Sequence, residues 1–378
     1  MICHRNRILL AVFCCPAILA LWAQAQITGA IQQQSPLTAD SQQKIATAVA
    51  AEVQALTGGD AKMDPKMARD KLVNDCDGHG GVTASHDYQT QYATELVKNL
   101  TPMLDAKNPL RVRLNAAIVI GRAAERLEPA GVDDQFAPLV TSLLQDKQEA
   151  LVIWGAKAAK YLIASAVQAG ANANALQDQL LRAVKAFPES GAIVDEAYSA
   201  FTLTPLAGNT NVNVGQLSGA VLPHLVQLID FRASQYAAGT VPPSPVVVKT
   251  FSTFVAVTAS PVWLANVPLR NDLLKSLGSL ACAQVQLIAN GNNDQDLIDA
   301  AKSVGDTLSV MGRQIIPGGE HLNTAGMAIN GISAGTQPNS LTDRCNDLNQ
   351  ALKDLNITPA EVPGAGTGAG TTPAVQAK

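Results

Sequence analysis

Residues 137–162 read APLVTSLLQDKQEALVIWGAKAAKYL, and residues 178–203 read DQLLRAVKAFPESGAIVDEAYSAFTL. Aligned without gaps, Leu139, Val140, Leu143, Ala156, Ala159 and Leu162 fall on Leu180, Leu181, Val184, Ala197, Ala200 and Leu203, each 41 positions later. Within each stretch the apolar residues recur three and four apart, which places them on one face of a helix. A period near forty with a polar middle specifies a helix, a short turn and a second, alanine-rich helix. Such a pair leaves apolar faces that it cannot bury alone, so neighbouring pairs must stack. The predicted fold class is therefore all-α: an α-α superhelix or solenoid flanked by helical segments. Composition points the same way, since 47% of the chain is hydrophobic but only 4% aromatic. Alanine has the best helix propensity, whereas a β-sandwich needs alternating β-branched and aromatic residues.

Outward from this repeat, Leu104-Asp105 precedes Val112-Arg113-Leu-Asn-Ala116-Ala117-Ile-Val-Ile-Gly121. Pro138, Leu143, Leu144, Asp146, Val152, Ala156 and Leu162 follow the same order, with Ile153 where an arginine would stand. This arrangement resembles the HEAT family of helical repeats, in which a leucine pair and a turn aspartate precede a second helix opening with Val-Arg and closing on Gly. The resemblance runs from about Leu100 to Phe201 and is degenerate beyond. Its third unit, residues 180–203, has lost the aspartate and the Val-Arg, and a fourth first helix is suggested at Pro223 to Asp230. The resemblance implies a fold and no activity.

The N-terminus reads as a secretory signal. Arg5 and Arg7 are followed by an apolar stretch, residues 8–22, and by the small residues of Ala23-Gln24-Ala25, with cleavage expected after Ala25. The rivals are an uncleaved anchor, for which roughly 15 residues interrupted by Pro16 fall short of the roughly 20 a span needs, and a lipoprotein built on Cys14 or Cys15. No other stretch reads as a bilayer span, so none is expected after signal cleavage. The signal peptide, 1–25, leads into a linker at 26–37, an N-terminal helical cap at 38–98, the HEAT-like repeats at 99–204, a C-terminal helical region at 205–357 and a disordered tail at 358–378. Helix starts are marked by Thr38 to Ser41, by Asp64-Pro65 and by Ser85, all of them favoured capping chemistry. Further helices are expected at 217–236, 245–258, 269–289, 295–314 and 341–355. Polar 208–215 and Gly/Pro-rich 237–245 read as breaks, and 317–338, rich in Gly, Asn and Thr, reads as a long loop.

Losing Arg5 and Arg7 leaves 25 basic against 31 acidic residues, a net charge of −6. Nucleic-acid binding rests on clustered Lys and Arg, so no nucleic-acid partner is expected. Three cysteines remain after processing: Cys76, Cys282 and Cys345. Cys282 sits in an apolar run and reads as a buried small hydrophobe. Cys76 and Cys345 stand beside polar residues near helix ends and are the possible disulfide.

The most polar cluster is Asp75, Asp77, His79, His86 and Asp87. Imidazole and carboxylate suit zinc or manganese, with Asp77, His79 and His86 the candidate metal ligands, but the spacing matches no known site. A helix end, a Gly-rich turn and a new N-cap explain the same residues. Adjacent Ser85, His86 and Asp87 point in different directions on a helix and make a poor catalytic triad. His224 and His321 read as solvated. Arg111, Arg113, Arg122 and Arg126 form a basic face offset by Asp105, Glu125 and Glu128, which reads as ion-paired rather than as an anion site. Asn99-Leu-Thr101 and Asn356-Ile-Thr358 would matter as glycosylation acceptors only in a eukaryotic secretory pathway. No catalytic residue and no cofactor site is assigned. The reading is an exported, non-enzymatic helical-repeat scaffold, periplasmic or extracellular, that binds another protein. Its alternative is an extracytoplasmic metal-dependent enzyme using the Asp75 to Asp87 cluster.

Overall fold

The structure, a computed structural model, describes residues 27–58, 64–78, 82–207, 209, 212–240 and 266–359. The expected signal peptide, His79, the helix expected at 245–258 and the part of the expected tail from 360 onward lie outside the described residues. Among the described residues every regular element is an α-helix or a 3-10 turn. The chain divides into two compact units, residues 1–119 and 120–378.

In the first unit α1 (Gly29–Gln32), α2 (Ala39–Ala55), α3 (Pro65–Asn74) and α4 (His86–Leu100) precede the start of α5 (Leu110–Leu127). The three longer helices start on side-chain caps: Thr38 accepts from the Ser41 N–H, Asp64 from Lys66 and Ser85 from Tyr88. Each cap satisfies an N–H group that the first helical turn leaves without a carbonyl. The stripe Ile45, Val49, Val53 and Leu56 on α2 is buried. Tyr88 and Tyr92 stack at 5.5 Å between ring centroids. Their hydroxyls donate to Asp75 O at 2.8 Å and Leu72 O at 2.9 Å. These carbonyls belong to the end of α3, which would otherwise be buried unsatisfied.

In the second unit α6 (Ala137–Leu144), α7 (Glu149–Gln168), α8 (Asn174–Ala186) and α9 (Gly191–Phe201) form two hairpins. First helix packs on first helix, α6 on α8, and second on second, α7 on α9. All twelve residues related by the 41-residue shift are buried. The turn aspartates keep one geometry at that spacing. The Lys107 N–H donates to Asp105 Oδ1 at 2.9 Å, and the Gln148 N–H to Asp146 Oδ1 at 2.8 Å. Position 187, the next in the series, is phenylalanine, which cannot make this turn. The last aligned position also differs in backbone. Leu162 lies within α7, whereas Leu203 follows the end of α9 in the left-handed region at φ 51.

By length and hydropathy α7 is apolar enough to cross a membrane, contrary to the sequence reading that nothing beyond the leader is. Its alanine-rich faces are instead covered by α6, α8 and α9.

Two short elements, α10 (Val214–Leu217) and a 3-10 turn, lead to α11 (Leu222–Ala237). Then come α12 (Val267–Ala289), α13 (Gln295–Gln314), α14 (Glu320–Asn330) and α15 (Pro338–Asp354). Each of the last four packs on two of the others, α12 on α13 and α15, α14 on α13 and α15, which closes a four-helix bundle. The loop expected at 317–338 is therefore corrected, since half of it is α14. A Cβ on Gly312 would lie 2.5 Å from Asn323 N, and one on Gly326 2.5 Å from Ser309 N. Glycine lets the α13 and α14 backbones touch, and this contact outweighs its poor helix propensity.

The disulfide expectation is corrected as well: Cys345 pairs with Cys282, and Cys76 is a buried thiol outside any disulfide. Gly278, one turn before Cys282, admits Leu352 to 2.7 Å of where its Cβ would stand, so α12 and α15 are close enough to be bridged. Cys76 instead closes the end of α3, with its thiol donating to Leu72 O.

Candidate functional site

The turn Glu128–Ala130 follows α5, and the turn Thr204–Leu206 follows α9. Between them lies the C-terminal end of α7, and the three chain segments enclose a groove of about 760 Å³. Its walls carry apolar Pro129, Ala130, Ala166, Ala169, Pro205 and Leu206, and the acidic Glu128 and Asp134. None of the described lining residues is basic. Three second helices thus end at this groove, and a helix end carries roughly half a negative charge.

Ser165 of α7 stands on the wall, and behind it Asp133 is fully buried. Both Asp133 carboxylate oxygens lack a well-formed hydrogen bond. The nearest donor is the Ser165 hydroxyl, and Asp134 of the same turn and Glu128 of the preceding one add negative charge. Burial pushes the Asp133 pKa up to about 6, with Ser165 and the Asp133 N–H opposing and the two carboxylates reinforcing. Burial raises the Glu128 pKa as well. A desolvated carboxyl poised within the physiological range beside a cleft marks a functional-site candidate. Sequence reasoning missed Asp133 because it is adjacent to Asp134 in a turn, where Asp needs no further reason. The only linear hint was the acidic run Glu128, Asp133 and Asp134 around Gly131.

A second feature runs along α7. Trp154, Lys157 and Tyr161, three and four apart, form a half-buried stripe in which the Lys157 ammonium lies 4.6 Å from the Trp154 ring centroid. Lys160 reaches Glu196 of α9 at 2.7 Å and lies over the Tyr161 ring. Burial raises the Tyr161 pKa, and Glu125, the hydrogen-bond partner of its hydroxyl, raises it further.

The residues singled out from sequence are dispersed. Asp75 is buried at the end of α3 with Lys71 at 3.5 Å, and Lys71 also pairs with Glu52. His86 is exposed on the first turn of α4, and Asp87 accepts from Ser35 at 2.6 Å. The Ser85 hydroxyl donates to Gln34 O at 2.7 Å besides capping α4. Asp77 is half-buried, with its carbonyl facing the Ala84 N–H. Among the described residues no three His, Cys, Asp or Glu side chains converge as a metal site. Arg113 donates to Leu104 O at 3.3 Å, and Arg122 and Arg126 are also engaged.

His224 corrects the expectation of a solvated side chain. It is buried, its Nε2 is 2.9 Å from Asp178 Oδ1, and its ring tilts against Phe201 at 5.8 Å. It joins α11 to α8, a packing role that a Pro-His helix start does not reveal. His321 is exposed on the first turn of α14, with Nδ1 2.7 Å from Asp354 Oδ2, a hydrogen bond that lowers the Asp354 pKa. No protein-family model matches this chain, and no curated protein matches it.

Proposed function

We propose that this chain is an exported, non-enzymatic scaffold of HEAT-like helical repeats that holds a partner protein along the face of α7 that bears Trp154, Lys157 and Tyr161. The observation that carries the reading is the stripe of Trp154, Lys157 and Tyr161 on a helix whose hairpin stacks in register on the next. Stacked helix pairs offer extended surfaces, and half-buried Trp and Tyr are among the residue types that anchor protein interfaces. Recognition of this kind needs no catalytic constellation. The Cys282–Cys345 disulfide supports a periplasmic or extracellular site, because such bonds persist in oxidising compartments. The leader of residues 1–25 supports it independently.

The test is site-specific photo-crosslinking in the secreting cell. A photoreactive residue at Trp154 or Tyr161 is expected to give one adduct of defined mass, and one at exposed Ser142 of α6 none. The same adducts from all three positions, or none from any, overturn the reading. N-terminal sequencing of the mature protein should begin at Gln26, and an intact leader in the membrane fraction would overturn the export step.

A further inference from the structure

We propose that the groove between the ends of α5, α7 and α9 binds an alkylammonium ion, with the charged head at Glu128, Asp134 and Ser165 and the methylene body on the apolar wall. The proposal does not depend on the scaffold reading and concerns a different part of the surface.

Four observations carry it. The volume, about 760 Å³, is that of a small-molecule site. The apolar wall of Ala166, Ala169, Pro205 and Leu206 suits a hydrocarbon chain. Charge in the groove is of one sign, from two lining carboxylates and three converging helix ends, with no basic lining residue among those described. Asp133 is fully buried, has no well-formed hydrogen bond and meets the groove through Ser165. A buried carboxyl that has only the Ser165 hydroxyl and its own N–H for donors, and no cation, is expensive, and a cation arriving in the groove supplies the missing charge. An organic cation fits better than a bare metal ion, because no three ligating side chains converge among the described residues.

Two sources offer this chemistry, a free amine and a lysine side chain of a partner protein. The experiment titrates the mature protein with n-pentylamine, 1-pentanol and the tripeptide amide Gly-Lys-Gly by isothermal calorimetry in low salt, at pH 5 and pH 8. Pentylamine is expected to bind saturably at pH 8 and more weakly at pH 5. There Asp133 holds its proton, and Glu128, Asp134 and the Ser165 hydroxyl are the groups that face it. Pentanol should bind at least tenfold more weakly. Asp133→Asn, which keeps the side-chain volume, should weaken pentylamine about tenfold and flatten the pH dependence. Far-ultraviolet circular dichroism and the unfolding midpoint establish that the variant is folded. Tripeptide binding as tight as that of pentylamine assigns the site to a partner lysine, and pentylamine binding without it assigns the site to free amines. Absence of saturable pentylamine binding at pH 8, equal binding of pentanol, or unchanged affinity in folded Asp133→Asn overturns the proposal.

Discussion

Replacing Asp133 by Asn should make the protein more stable at pH 8 and leave it almost unchanged at pH 4. The folded-state pKa, about 6, lies above the ordinary value of 3.8, so the folded chain holds this proton more tightly than the unfolded one. Below 3.8 both states are protonated and no penalty exists. As pH rises from 3.8 to 6 the unfolded chain ionises first, and stability falls. Above 6 both states are ionised and the full penalty remains. A shift of about 2 pH units corresponds to about 3 kcal/mol at 1.36 kcal/mol per unit, an upper bound because side chains and water relax around the charge. Asn carries no titratable proton, so the variant should gain up to about 3 kcal/mol at pH 8 and less than about 1 kcal/mol at pH 4. In a domain of this size that is a rise of about 6–12 °C in Tm. Thermal unfolding followed at 222 nm, on both proteins at both pH values, reads it directly. A gain of the same size at pH 4, or a loss at pH 8, would refute the burial argument.

Gly312→Ala should destabilise the protein by about 1–3 kcal/mol, because its Cβ would lie 2.5 Å from Asn323 N. Gly219→Ala, into open space, should change the urea midpoint little, and equal effects would discredit the close-contact account. Removing the Cys282–Cys345 bond, which spans 63 residues, should cost about 4 kcal/mol by chain entropy, read as loss of Tm in Cys282→Ala. Unfolding the oxidised mature protein should then expose one thiol to a colorimetric reagent, that of Cys76, and three would contradict the pairing. Asp146→Ala removes the 2.8 Å bond to the Gln148 N–H and should cost about 1 kcal/mol in chemical denaturation.

Where apolar periodicity was strong, the sequence was legible. Residues 295–314 were expected as a helix and are α13, and the buried face of residues 139–203 followed from a 41-residue shift. Capping chemistry marked the starts of α2, α3 and α4 for the same local reason. Failures came where distant contacts override local preference. Glycines at 319 and 326 read as loop formers, yet with Gly312 they are the close surface between α13 and α14. The cysteine pairing depended on which helices become neighbours, which spacing does not encode. The groove was illegible because its parts, Glu128, Ser165 and Leu206, are brought together only when three helices end at one place.

Asp133 is the position at which stability and any purely structural account disagree. Asparagine would occupy the same volume in the same turn without a charge, and a fold selected only for packing gains from a carboxyl there no more than its place at the start of the turn Asp133–Phe136. Three helix C-termini and two further carboxylates make the position negative, which opposes the favourable place of Asp133 at the start of that turn. Arg126, in the last turn of α5, offsets part of that field but is exposed. Such conflicts between local chemistry and stability concentrate at functional sites. A bound cation also returns free energy to the fold by linkage: at one hundred times its Kd a ligand stabilises by about 2.7 kcal/mol. The instability of the empty groove and part of the affinity of the filled one therefore share the Asp133 charge, and Asp133→Asn should raise the stability of the empty protein while weakening amine binding about tenfold.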